Sequence, residues 1–157
     1  MKTSALHLLF LIAVFLLIGS GLGAVTAAGK VGFYDQITRS VLTPPDWVFG
    51  VVWSSLYVMI AISLWYALRT PNRGRMRTLA LSLFAAQMGM NWIWTFLFFT
   101  FHWLLVSFLW IVLLDMMVAA TIWALWRVSR PAAILLIPYL MWGLFAAYLS
   151  GTIWLLN

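Results

Sequence analysis

Three rows of side chains at helical spacing carry the chemistry this chain can offer. Phe49, Trp53 and Tyr57 recur every four residues, so they stack on one helix face that is large, aromatic and bears a single hydroxyl. Gln87, Asn91, Trp94 and Phe98 follow one another at spacings of four, three and four. Tyr139, Trp142, Ala146 and Leu149, with Phe145 close by, make a third face. Two readings stand for the aromatic rows: interface belts with ordinary helix packing, or the walls of a pocket for a flat ligand. For Gln87 and Asn91 the choice is between interhelical hydrogen bonds and a ligand site, because an amide in hydrocarbon faces protein or a cavity.

Other reactive groups are sparse. Asp115 falls in the middle of an apolar run, where a lone carboxylate costs ~2.5–3.5 kcal/mol on insertion scales and is expected to face the bundle interior. A proton relay would need a second intramembrane acid or base, and none accompanies it, so a buried, hydrogen-bonded structural Asp is the simpler reading. His7 and His102 are single histidines near helix ends, without the partner that haem ligation would require. There is no Ser-His-Asp grouping, no Gly-rich phosphate loop and no metal-ligand spacing. No metal site and no cofactor are expected, and conventional hydrolytic or nucleotide chemistry finds no support.

The elements that must position these faces follow from composition. The chain has 157 residues, 66% hydrophobic and 8% charged, with a mean hydropathy of +1.06. A soluble domain of this size cannot hide so much apolar surface, so lipid is the solvent for most of it. With ~20 apolar residues needed per span, the length accommodates about five. The expected fold is an all-α integral membrane protein, a single domain over 1–157. Its spans are placed near 4–28, 46–68, 78–99, 104–126 and 132–156, with a long extramembrane loop at 29–45. The formal charge of +6 sits largely at helix ends and reads as a topology signal, not as a nucleic-acid surface. The absence of cysteine excludes disulfides and thiolate metal sites.

Lys2, Arg69, Arg73, Arg75, Arg77, Arg127 and Arg130 fall on one side of such a bundle, and Lys30 and Arg39 on the other. The positive-inside rule then places the N-terminus in the cytoplasm and the C-terminus outside, for a cell inner membrane. Lys2, the apolar run 8–18 and the small residues around Val25-Thr26-Ala27 also fit a cleavable signal peptide. An apolar stretch longer than a typical signal core, and the pair Gly19/Gly23, favour a retained helix. Ala85 and Gly89, also four apart, lie roughly opposite the Gln87/Asn91 face and form a candidate dimer seam.

In combination these residues resemble the translocator protein family, the tryptophan-rich sensory proteins also known as peripheral benzodiazepine receptors. The run Phe33-Tyr34-Asp35 through Pro44-Pro45-Asp46-Trp47-Val48-Phe49 is similar to that family's W-Y-D-x-L-x-K-P-x-W-x-P-P-x-W-x-F. Trp53 to Tyr57 reads as its W-x-x-L-Y, and Gln87, Asn91 and Trp94 as its Q-x-x-x-N-x-x-W. Pro138-Tyr139, Trp142 and Phe145-Ala146 correspond to its P-Y-x-x-W-x-x-F-A. The blocks keep their order and cover essentially the whole chain.

The resemblance implies five transmembrane helices around a pocket beneath the first loop, and a homodimer. It implies protoporphyrin IX and related tetrapyrroles as ligands, with sterols and synthetic isoquinoline carboxamides or benzodiazepines as further ones. Carried over by position, the ligand-binding residues are Trp47, Phe49, Trp53, Tyr57, Asn91, Trp94, Trp142, Phe145 and Ala146. The function it implies is porphyrin sensing, sequestration or transport. The alternatives are light-dependent porphyrin degradation, tied to tryptophans matching Trp53 and Trp142, or transport of a sterol or other lipophile. The chain departs from the family at Arg39-Ser40, where Lys-Pro is usual, and at Val41 or Leu42, where the loop tryptophan is usual. The basic residue of the C-terminal sterol motif is missing after Tyr148, which removes that route to sterol recognition.

Overall fold

The computed structural model describes residues 2–71 and 74–157; Arg73, counted above for orientation, lies outside the described residues, as does the side chain of Lys2. Five long helices make up most of the molecule: α1 (Lys2–Gly29), α2 (Asp46–Arg69), α3 (Arg75–Phe99), α4 (Leu104–Trp126) and α5 (Arg130–Leu156). No strand occurs among the described residues. An apolar chain in lipid must satisfy its backbone internally, and the helix does so segment by segment. Helix α2 begins directly after Pro44-Pro45, with Asp46 in its first turn and Arg69 in its last; both charges oppose the helix dipole. Helix α5 carries Pro131 at its start and runs through Pro138 without interruption.

By length and composition, four of these helices can cross a bilayer: α1, α2, α4 and α5. Helix α3 falls outside that set. Arg75 and Arg77 open it, and Gln87 and Asn91 interrupt its apolar centre. It also starts earlier than the sequence pattern implies, at Arg75 rather than near 78, because basic residues are good helix formers.

The helices close into a ring in the order α1–α2–α5–α4–α3, and α3 returns to pack on α1. Side chains tie successive walls to one another through backbone carbonyls. Ser63 Oγ donates to Ala132 O at 2.7 Å, between α2 and α5. Trp94 Nε1 donates to Ser107 O at 3.0 Å and Trp110 Nε1 to Met90 O at 2.9 Å, both between α3 and α4. Trp65 Nε1 donates to Ser4 O at 3.1 Å, between α1 and α2. Gly29 closes the ring, since a Cβ there would collide with the carbonyl oxygen of Phe99.

One half of the ring is solid. Ile60, Ala61, Phe84, Val118, Leu125 and Leu136 pack there with almost no exposure. The half nearer the connection between α1 and α2 is hollow. That connection starts with a short, wide helical turn, Lys30–Tyr34, broken at Val31 and at Gly32, whose φ is 85°. Glycine takes this left-handed conformation without strain. The rest of the loop is clamped to the end of α5. Thr38 N donates to Asn157 Oδ1 at 2.9 Å, Asn157 Nδ2 returns a bond to Thr38 O at 3.0 Å, and the Ser40 and Tyr148 hydroxyls meet at 3.2 Å.

Candidate ligand-binding cavity

The hollow half encloses a cavity of about 470 Å³, to which all five helices contribute. This volume is within the range of roughly 300–1,000 Å³ usual for small-molecule sites. Phe49, Trp53 and Tyr57 line one wall, so the four-residue repeat on α2 does turn a single face inward. Asn91, Trp94 and Phe98 supply the α3 wall, and Tyr139, Trp142, Ala146 and Leu149 that of α5. Helix α1 contributes mostly small residues, among them Gly19, Ser20 and Gly23. They leave the space into which the aromatic walls project.

The walls are braced against one another. Trp53 and Tyr57 lie 5.6 Å apart between ring centroids, Trp53 and Tyr139 6.4 Å, and Phe49 meets Trp142 edge-on at 5.6 Å. Trp94 stacks on Phe98 at 5.3 Å. Tyr57 Oη donates to Asn91 Oδ1 at 3.2 Å, which fixes the rotamers of both residues at the cavity wall.

Two residues carried over from the family pattern lie elsewhere. Trp47 is 70% exposed and is not among the lining residues. Two residues before Phe49, and so about 200° around α2 from it, it points away from the ring. Phe145 is half-buried behind the wall, 5.5 Å from Trp142 and 6.5 Å from Tyr148, where it supports the cavity-lining tryptophan. Gln87 is fully buried, yet it sits in the solid half, and neither its amide nitrogen nor its oxygen has a hydrogen-bond partner. His7 and His102 are both exposed, and His102 stacks on Phe33 at 3.8 Å.

The cavity also holds polar groups that the aromatic pattern did not single out. At its mouth, Lys30 forms an ion pair with Asp46, and Lys30 and Arg39 lie 5.5 and 5.0 Å from the centre of the Tyr34 ring. Deeper inside are Asp115, Tyr139 and Ser150. Asp115 Oδ2, Tyr139 Oη, Trp142 Nε1 and Ser150 Oγ are all buried without a hydrogen-bond partner. Buried polar atoms are nearly always paired, and these four unpaired ones belong to residues that line the same cavity.

A ring of five helices in the order α1–α2–α5–α4–α3, tryptophan walls and a lid running from α1 to α2 make a specific combination. Residues 10–155 match the TspO/MBR family. The chain belongs to the TspO/MBR family. Over its full length it is 34% identical to a tryptophan-rich protein TspO of Chlorobaculum tepidum, covering 99% of that protein. A tryptophan-rich protein TspO of Archaeoglobus fulgidus is 36% identical over 97% of both chains. The translocator protein of Bos taurus is 35% identical over 87% of this chain and 82% of its own. As a TspO/MBR protein with several long apolar helices, it is an integral membrane protein.

Proposed function

We propose that this TspO/MBR protein binds a tetrapyrrole such as protoporphyrin IX in the cavity, and so senses, sequesters or moves porphyrins across its membrane. The observation that carries this reading is the joining of Phe49, Trp53, Trp94 and Trp142 with unpaired polar atoms in one cavity. Flat macrocycles bury best against aromatic faces, and a few polar groups then set their orientation. Asp115 repels an acidic ring edge from the floor, whereas the mouth carries Lys30, paired with Asp46, and Arg39 beside the Tyr34 ring. The propionates of the porphyrin therefore point outward.

In this reading α3 is the fifth transmembrane helix, its amides turned toward α2 and the ring interior, so that five helices cross the bilayer. The basic clusters at Arg69–Arg77 and Arg127–Arg130 then face the cytoplasm with the N-terminus, and the lid and the C-terminus lie outside. Ala85 and Gly89 form the seam of a homodimer.

Light- and dioxygen-dependent porphyrin breakdown is a second reading, favoured by the presence of both Trp53 and Trp142 on the cavity wall. One experiment tests both. Wild type and a Trp53→Phe/Trp142→Phe variant are titrated with protoporphyrin IX by tryptophan-fluorescence quenching, in darkness and under light. Saturable 1:1 binding without bleaching supports a sensor or carrier. Bleaching faster than in detergent alone, lost in the variant, supports photochemistry. No saturable binding to wild type rejects both.

A further inference from the structure

Three charged side chains line the cavity: Lys30, Asp46 and Asp115. The first two are paired with each other at the mouth, which leaves Asp115, among the described residues, as the only charge-bearing group of the lining without a counter-charge. It sits on α4, 6% exposed, with Oδ2 buried and unbonded. The protein has made room for it. A Cβ on Gly143 of α5 would collide with Asp115 Oδ1, so glycine at this position allows the carboxyl group to lie between the helices while still lining the cavity.

We propose that the floor of the cavity is an ammonium subsite: it takes a lipophilic amine, a flat aromatic body bearing one basic nitrogen, with that nitrogen on the Asp115 carboxylate. The inference rests on the cavity being the ligand site argued above and extends its ligand class from acidic macrocycles to aromatic amines. A lone carboxyl group in a low-dielectric site is stabilised most by an opposite charge it can contact directly. The pairing does not depend on which partner brings the proton. A neutral amine entering from lipid takes the proton of a protonated Asp115, and a charged amine meets the ionised form; both end as the same ion pair. Around it, the Tyr139 and Trp142 rings offer faces to the cation, and the Tyr139 hydroxyl is free to accept a further N–H bond.

The test compares 1-pyrenemethylamine with 1-pyrenemethanol, which share a ring system and differ in the charge of one substituent. Energy transfer from the tryptophans to pyrene reports saturable binding to the full-length protein in nanodiscs. Wild type is expected to bind the amine at least about tenfold more tightly than the alcohol, a difference of ~1.4 kcal/mol. Asp115→Asn is expected to abolish that preference. Equal affinities in wild type overturn the proposal without recourse to any variant, so a variant that fails to fold does not shield it. A preference that persists in folded Asp115→Asn also overturns it, because the amine is then held elsewhere. Protoporphyrin IX is titrated in parallel. Its failure to bind while the amine is selected rejects the tetrapyrrole reading and supports the subsite; its binding with no amine preference does the reverse.

Discussion

The phenol of Tyr57 donates to the side-chain carbonyl of Asn91 across 3.2 Å, joining α2 to α3 where these two helices otherwise hardly touch. The residues are 4% and 6% exposed, so loss of either leaves the other with a buried, unpaired group. Tyr57→Phe is expected to cost about 1–3 kcal/mol, and Asn91→Leu a similar amount. The double variant Tyr57→Phe/Asn91→Leu should cost clearly less than the sum, because neither partner is then orphaned. Unfolding of the detergent-solubilised protein measures all three. Additive costs would mean that the bond does not couple the two walls.

Gly19 and Gly23 look equivalent in sequence, and the structure separates them. A Cβ on Gly19 would lie 2.6 Å from Tyr57 Cδ2, whereas one on Gly23 meets nothing within 4 Å. Gly19→Ala must displace the Tyr57 ring, at a cost of about 1–3 kcal/mol and with weaker ligand binding. Gly23→Ala is expected to leave stability within about 0.5 kcal/mol of wild type. Thermal melting of the two variants side by side decides it; equal effects would place the α1–α2 contact elsewhere.

That pair shows where sequence reasoning reaches its limit here. Periodicity finds the inward faces of α2, α3 and α5 because aromatic and amide side chains at spacings of three and four must share a face. It assigns Phe49, Trp53, Tyr57, Asn91, Trp94, Trp142 and Ala146 to faces that the fold brings together in one cavity. It cannot tell how a face is divided between hollow and solid halves, so Gln87, on the same row as Asn91, belongs to the packed end. Nor can it see contacts across the ring. Asp115 is visible as a lone acid, but that Gly143 of another helix is shaped to it depends on the α4–α5 crossing. The same holds for Trp47. Its place in a motif beside Phe49 draws it toward the site, while the rotation of about 100° per residue along α2 turns it outward.

The lid offers a kinetic prediction. The segment from Tyr34 to Asp46 connects two cavity-lining residues, and Asn157 holds its middle through paired bonds to Thr38 N and O at 2.9 and 3.0 Å. Both bonds are exposed, so together they are worth on the order of 1 kcal/mol. Asn157→Ala is expected to speed ligand entry and exit about fivefold with little change in affinity, since closed and liganded states lose the same bonds. Stopped-flow quenching with protoporphyrin IX reads both rates. Unchanged rates would show that ligands pass between the helices from lipid and not under the loop.

The outer face of α3 carries the prediction for assembly. Ala85 is exposed, Gly89 is half-buried, and a Cβ on Gly89 meets no atom within 4 Å. Among the described residues no helix packs on that strip, so the small residues give it no benefit within one subunit. Between two copies they let backbones approach closely, which is how helices associate where burial of apolar surface supplies no drive. Because the space is open, Ala85→Leu/Gly89→Leu is tolerated by the single subunit, and its melting temperature and protoporphyrin binding should match those of wild type. Its oligomeric state should not. Sedimentation in detergent, with cross-linking in native membranes as a control, is expected to show a dimer for wild type and a monomer for the variant. A variant that remains dimeric with normal stability would move the interface off α3, to another of the exposed apolar faces of α1 or α4.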